Sequence, residues 1–210
     1  MSPAPADPLP PERFEELLRQ ADASSSLTPA VVDLLARYLA ELDQWRRRVN
    51  PTGQLDAADL VAHAAEALLP ADLLPRGGSL LDIGSGAGFP GVPLAIARRD
   101  VPVTLLEPRA KRASFLRHVI RILPLANAAV HEARVEEVGG QTFGAAASRA
   151  VGRLDRIIGE AGFLEPGGLL LLWTTEAEDR VRDLPTFVLE LVRPVPGSVR
   201  RVVAVLRKRP

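Results

Sequence analysis

The run LLDIGSGAGFPGVPLAIA, residues 80–97, carries an apolar segment into a glycine-rich turn and then into a helical pattern. The apolar segment SLLDIG, residues 79–84, is typical of a buried strand, and the stretch from Pro90 to Arg98 is typical of a helix. Open α/β sheets bind ligands at such turns, at the carboxyl ends of their strands. The run therefore predicts a strand, a ligand-binding turn and a helix.

The same alternation of strand and helix continues along the chain. It predicts a mostly parallel sheet with helices on both faces. Two late runs have no helix between them, which favours an antiparallel pair at the sheet edge. The predicted helix after the second strand covers residues 110–123. The remaining strand-like runs are residues 102–107, 128–133, 143–148, 169–175, 186–192 and 200–207.

The first seventy residues favour helices. Phe14, Leu17, Leu18 and Ala21 fall on one helical face, Thr28-Pro29 is a typical helix start, and Asp56 can cap a third helix. A second apolar stripe follows Thr28, and it comprises Val31, Leu34, Leu35, Tyr38, Leu42 and Trp45. We therefore expect a helical segment over residues 1–76 and an α/β domain over residues 77–210.

Composition excludes several classes of function. The chain has 210 residues and no cysteine, which removes disulfides, iron–sulfur clusters and cysteine nucleophiles and fits a cytoplasmic protein. No apolar run is long enough to span a membrane, and the proline-rich start has the features of a loose tail rather than a secretory signal. The 26 basic and 26 acidic residues balance, but residues 1–30 are acidic and residues 191–210 are basic. A local basic patch remains compatible with zero net charge.

The glycine turn leaves three ligand interpretations open. Residues 86–91 match the G-x-G-x-x-G pattern of dinucleotide sites, S-adenosylmethionine uses a similar turn, and a tight turn can also lack a ligand. Asp82 favours S-adenosylmethionine, because a carboxylate repels a pyrophosphate and attracts a sulfonium or ammonium group. Pro90 also removes a helix N–H that a phosphate needs.

Glu107 ends the second predicted strand, 23 positions after Gly84. An acid at this place can accept hydrogen bonds from both hydroxyls of a ribose. It therefore predicts a nucleoside without choosing between the cofactors. The alternative is a salt bridge from Glu107 to Arg109 or Lys111.

These motifs together resemble a known family, the small-subunit ribosomal RNA guanine-N7 methyltransferases, also called the glucose-inhibited division protein B family. The resemblance spans most of the chain. The segments that carry it are Trp45, Asn50, Thr52, residues 80–97, TLLEPRAKRASFLR (104–117), ARVEE (133–137), SRA (148–150) and RRVVAVLRK (200–208).

The resemblance implies a Rossmann-like class I methyltransferase fold and S-adenosylmethionine as the cofactor. Gly84 and Phe89 would line the cofactor, Val135 and Glu136 would hold its adenosine, and Arg149 would reach its methionine part or the target base. Simpler roles remain open: packing for Phe89, an ion pair with Arg134 for Glu136 or Glu137, and anchoring of the loop for Arg149. The full predicted cofactor set is Asp82, Gly84, Gly86, Phe89, Glu107, Val135, Glu136 and Arg149.

The implied reaction is methylation of N7 of a guanine in 16S ribosomal RNA. This nitrogen carries no proton, so we expect Arg149 to position the reactants without a general base. The three histidines are dispersed, and no spacing typical of a metal site occurs. We expect a monomer that contacts the RNA or the small subunit through basic residues, although solvated surface charge is their simpler interpretation. The predicted RNA contacts are Arg47, Arg48, Lys111 and Arg112.

The sequence departs from the family in several places. Trp173-Thr174-Thr175 stands where the family carries Lys-Gly after the fifth strand, and Phe143-Gly144 stands where it has an aromatic residue and an aspartate. Residues 138–142 and 176–186 are also shorter than the family pattern. A methyltransferase of another acceptor, a small molecule or a protein, and a non-catalytic RNA- or ribosome-binding protein therefore stay open as alternatives.

Overall fold

The computed structural model describes residues 8–21, 27–49, 56–149, 161–175 and 185–210. Three helices form its N-terminal part: α1 (Pro11–Ala21), α2 (Pro29–Val49) and α3 (Ala57–Leu68). The chain divides into two compact units, residues 1–65 and 66–210. The predicted domain boundary after residue 76 stays a prediction.

The helix starts predicted from the sequence are present. Thr28 Oγ1 accepts the N–H of Val31 at 3.4 Å, at the beginning of α2. Asp56 and Asp59 cap α3 reciprocally, because each carboxylate accepts the backbone N–H of the other residue, at 2.8 and 3.0 Å. Such caps satisfy amide groups that a helix leaves without partners in its first turn.

A buried carboxylate stabilises the N-terminal unit. Asp43 on α2 is 1% exposed and accepts the backbone N–H of Leu9 at 3.1 Å. Arg46 and Arg47 form ion pairs with its two oxygens, at 2.6 and 3.1 Å. Burial opposes ionisation of Asp43, but the Leu9 amide and the two guanidinium groups lower its pKa overall. Arg47, a predicted RNA contact, thus has a structural partner in its own helix.

The predicted α/β fold is confirmed. Seven strands form one sheet in the order β3-β2-β1-β4-β5-β7-β6. All neighbouring pairs from β3 to β5 are parallel, whereas β7 pairs antiparallel with both β5 and β6. The elements are β1 (Leu80–Ile83), α4 (Gly91–Ala97), β2 (Val103–Leu106), α5 (Ala110–Ile122), β3 (Ala128–His131), β4 (Phe143–Arg149), β5 (Leu164–Thr174), β6 (Phe187–Pro194) and β7 (Val202–Lys208).

The strand order reverses direction at β1. The chain moves from β1 outward to β2 and β3, and then returns to pair β4 on the other side of β1. Ile83 lies opposite Leu106 of β2 and Ser148 of β4. The next residues of these three strands are Gly84, Glu107 and Arg149. The register therefore brings predicted site residues together at the switch point, where α/β sheets bind ligands.

The connections between strands differ in part from the sequence expectation. Between β3 and β4 the structure has only a single 3-10 turn, Val135–Glu137, in place of a helix. The helical pattern expected between β4 and β5 falls on residues 150–160, which lie outside the described residues. Asn50, Thr52, the first seven residues and residues 176–184 also lie outside them.

Candidate functional site

The turn after β1 depends on glycine. Gly84 and Gly86 have φ angles of +74° and +58°, in the left-handed region that residues with a Cβ rarely adopt. The N–H groups of Gly84 and Ser85 both donate to Leu106 O, at 2.9 and 3.0 Å, which ties the turn to β2. The backbone of the turn is thus fixed at the carboxyl ends of β1 and β2.

Gly91 lets α4 pack closely against the sheet. A methyl group in place of its hydrogen would lie 2.5 Å from Asp82 Oδ2 and 2.9 Å from Asp82 Cβ, and it would also overlap Leu105 Cδ2. Real side chains do not make such short contacts. Glycine at this position is therefore required for the observed contact between α4 and β1.

The first turn of α4 has no donor left for a phosphate. Gly91 N–H donates to Asp82 Oδ2 at 3.1 Å, and Val92 N–H donates to Gly88 O at 2.7 Å. Pro90 and Pro93 have no N–H. The anion site that a helix N-terminus usually provides is consequently occupied by the protein's own acceptors.

Asp82 has a fully buried carboxyl group and lies in β1, two residues before Gly84 and the glycine turn. One of its oxygens accepts the Gly91 N–H, while Oδ1 has no hydrogen-bond partner among the described residues. Burial raises the pKa of Asp82 to about 7, and the negative charge of Glu107 adds to the rise. An orphaned, buried acceptor of this kind favours a cationic neighbour over an anionic one.

Glu107 connects the turns after β1 and β2. It is 3% exposed, its Oε2 accepts the N–H of Gly86 at 2.9 Å, and its Oε1 accepts the N–H of Arg109 at 2.8 Å. Both turns are therefore held by one carboxylate through backbone amides. An ionised carboxylate has about four acceptor positions, so each oxygen retains capacity for a hydroxyl group.

Arg149, the last residue of β4, lies over the glycine turn. Its guanidinium carbon is 5.8 Å from the centre of the Phe89 ring, within the range of a cation–π interaction. Its Nη2 also donates to Oε2 of Glu66 at 2.9 Å. Both contacts fit the anchoring role that the sequence left open, and they place Arg149 at the carboxyl edge of the sheet.

Val135 and Glu136 follow β3 in the 3-10 turn. Val135 is half-buried and packs against the apolar cluster that includes Ile83 and Leu106, whereas Glu136 is exposed. Glu137 accepts the backbone N–H of Arg134 at 2.6 Å. The contacts of Val135 and Glu136 with a cofactor stay predictions.

The predicted RNA contacts occupy different settings. Lys111 and Arg48 are exposed, and Arg112 is half-buried. A methyl group placed on Gly86 would lie 3.8 Å from Arg112 Nη1, so this guanidinium lies beside the glycine turn. RNA binding by these residues stays a prediction. Among the described residues, no group of His, Asp and Glu side chains could hold a metal ion, and no helix could cross a membrane.

Known proteins have sequences similar to that of this chain. A sequence model of the family described as rRNA small subunit methyltransferase G matches residues 32–186. The chain belongs to this family. A relative from Sorangium cellulosum with the name ribosomal RNA small subunit methyltransferase G is 42% identical over 172 residues, 78% of this chain and 71% of its own length. A second relative with that name, from Halorhodospira halophila, is 35% identical over 85% of this chain and 83% of its own length.

Solved structures of other proteins have a fold similar to that of this chain. A methyltransferase from Geobacter sulfurreducens superposes with a TM-score of 0.63, covering 91% of this chain and 96% of its own. The two sequences are only 15% identical, so this similarity concerns the fold alone. The expected class I methyltransferase fold is thereby confirmed for this family member.

Sequence reasoning missed Glu66 as part of the site. This residue is 4% exposed and forms ion pairs with Arg149 and Arg201. The available signal was a single acid within the apolar helical run AHAAEAL, residues 62–68. Charged residues are rarely buried without a partner, so that pattern indicated an ion pair but not its partners.

Proposed function

We propose that this protein transfers a methyl group from S-adenosylmethionine to N7 of a guanine in the RNA of the small ribosomal subunit. The observation that carries the choice of cofactor is the occupied first turn of α4. Asp82 and Gly88 already accept the N–H groups of Gly91 and Val92. A pyrophosphate would find a carboxylate there instead of donors, which argues against a dinucleotide.

The described residues fit the cofactor. The second acceptor positions of the Glu107 oxygens suit two ribose hydroxyls. A positive charge on the ligand would stabilise the ionised form of buried Asp82. The glycine backbone from Gly84 to Gly88 leaves room for close approach. When bound, S-adenosylmethionine supplies an electrophilic methyl group on a sulfonium sulfur.

The acceptor nitrogen determines what the protein must do. N7 of guanine attacks through a lone pair and loses no proton, so the site needs no general base. Arg149 has the role of a positioning group, held between Phe89 and Glu66. The methylated guanine carries a positive charge, and the Glu66 carboxylate offsets the charge of Arg149 beside it. Positioning and exclusion of water then supply the rate enhancement.

Calorimetry and a transfer assay test this proposal. Titration with S-adenosylmethionine should give a saturable heat, whereas NAD should give none. Small ribosomal subunits that lack the modification should then accept a labelled methyl group. Binding of NAD in place of S-adenosylmethionine would refute the cofactor assignment, and bound cofactor without transfer to RNA would refute the substrate assignment.

A further inference from the structure

One buried carboxylate holds two arginines at the edge of the sheet. Oε2 of Glu66 lies 2.9 Å from Nη2 of Arg149, and Oε1 lies 2.6 Å from Nη1 of Arg201. The side chains of Glu66, Arg149 and Arg201 are 5%, 17% and 43% exposed. Because guanidinium groups stay protonated, the cluster carries a net charge of +1, and its exposed member is Arg201.

The strand register places Arg201 beside the end of β5. Trp173 of β5 lies opposite Arg149 on one side and Val203 on the other, and Thr174 lies opposite Val202. Arg201 comes one position before Val202, at the same edge of the sheet as the glycine turn. The indole of Trp173 donates to the backbone oxygen of Glu66 at 3.1 Å. This hydrogen bond holds the end of β5 beside Glu66.

The end of β5 carries no positive charge of its own. Its last residues and the one that follows are Trp173-Thr174-Thr175. The antiparallel pairing of β7 with β5 brings Arg201 next to that place from the neighbouring strand. Arg201 therefore supplies a positive charge at the end of β5, although the last residues of β5 carry none.

We propose that Arg201, held by Glu66, binds a phosphate of the RNA substrate next to the target guanine. An arginine fork binds phosphate oxygens with charge-assisted hydrogen bonds, and such contacts fix the register of a nucleic acid. Glu66 keeps Arg201 and Arg149 in one arrangement, so the phosphate and the base edge would be positioned together. This inference rests on the proposed function, since it assumes an RNA substrate.

The test compares two arginines of β7. Arg201→Ala and Arg207→Ala remove the same charge from similarly exposed side chains, 43% and 47%. Arg207 lies at the opposite end of β7, opposite Leu169, and pairs with Glu190. Fluorescence anisotropy with a labelled fragment of small-subunit RNA should show affinity about tenfold weaker for Arg201→Ala and nearly unchanged for Arg207→Ala. The slope of log K against log salt should fall by about 0.7–0.9 for Arg201→Ala only.

Other variants separate charge from position. Arg201→Lys should recover part of the affinity, because a phosphate accepts either cation. Glu66→Gln removes the carboxylate that holds both arginines, so it should slow methyl transfer and weaken RNA binding. The loss of affinity should be smaller than in Arg201→Ala, because the charge of Arg201 remains. Thermal melts check that each variant folds, and the affinity for S-adenosylmethionine should stay the same in Arg201→Ala.

The outcomes distinguish this inference from the proposed function. Equal RNA affinity and salt slope for Arg201→Ala and wild type overturn the inference, even if wild type methylates RNA. RNA binding that depends on Arg201 but yields no methylated guanine supports the phosphate contact and refutes the proposed reaction. A wild-type protein with no measurable RNA affinity refutes both.

Discussion

Oε2 of Glu107 lies 2.9 Å from the backbone nitrogen of Gly86, and this hydrogen bond joins the end of β2 to the glycine turn after β1. The left-handed φ of Gly86 permits its N–H to reach the carboxylate. The other oxygen of Glu107 holds the turn that begins α5, through Arg109 N–H. Glu107 thus shapes the site with the same group that we propose binds the ribose.

Glu107→Gln should weaken the binding of S-adenosylmethionine by at least about tenfold. The amide retains one acceptor oxygen but presents an N–H₂ group to a backbone donor, so one of the two turns loses its support. Isothermal titration calorimetry measures the change. A Glu107→Gln variant that binds the cofactor as tightly as wild type would show that the carboxylate does not form the site.

Gly91→Ala should lower the free energy of unfolding by about 1–3 kcal/mol, because the added methyl group overlaps Asp82 and Leu105. Gly139→Ala is the matched control, since a methyl group there has no atom within 4 Å. Urea denaturation of both variants makes the comparison. Equal stability of the two variants would mean that α4 can move away from β1 without cost.

The buried carboxyl of Asp82 should make stability depend on pH. Its pKa of about 7 in the folded protein exceeds the value of about 3.9 expected for an unfolded chain. The folded state therefore binds the proton more tightly, and the resulting stabilisation is full below about pH 4 and disappears as the pH rises through 7.

Asp82→Asn isolates this contribution. The free energy of unfolding of wild type minus that of Asp82→Asn should fall by about 3 kcal/mol between pH 5 and pH 8. Denaturant titrations across that range give the difference. A difference that stays constant with pH would contradict a raised pKa for Asp82.

Asp43→Asn should lower the free energy of unfolding by about 2–4 kcal/mol at neutral pH, because Arg46 and Arg47 lose the carboxylate that pairs with them. The pKa of Asp43 is lowered, so this stabilisation exists above an ordinary aspartate pKa and is lost as the pH falls through the folded value. Asp33→Asn is the control, because its pair with Arg37 is 3.7 Å long and exposed. Similar losses in both variants would remove the special role of Asp43.

The sequence predicted the local elements of the fold well. Apolar runs ended by glycine indicated β1, and helical spacing after Pro90 indicated α4, since both signals depend on residues close in the chain. Glu107 is predicted as a site residue from a local signal of the same kind, whereas no local signal predicts its hydrogen bond with Gly86 N–H. That hydrogen bond depends on the three-dimensional path of the turn, and the carboxylate binds backbone amides rather than forming the alternative salt bridge with Lys111 or Arg109.

Contacts distant in sequence could not be predicted in this way. Glu66 and Arg149 are 83 positions apart, and no periodicity connects them. The order of the last strands is a similar case, because the sequence indicated an antiparallel pair but not that β7 would lie between β5 and β6. That order determines where Arg201 lies, and therefore brings a positive charge next to the uncharged end of β5.

The most direct test is the nature of the methylated base. Small ribosomal subunits lacking the modification are incubated with the protein and S-adenosylmethionine carrying a deuterated methyl group, and their RNA is digested to nucleosides and examined by mass spectrometry. The account predicts deuterium-labelled 7-methylguanosine, absent when the protein or the cofactor is omitted. Label in another nucleoside, or no label in RNA despite calorimetric binding of the cofactor, would contradict it.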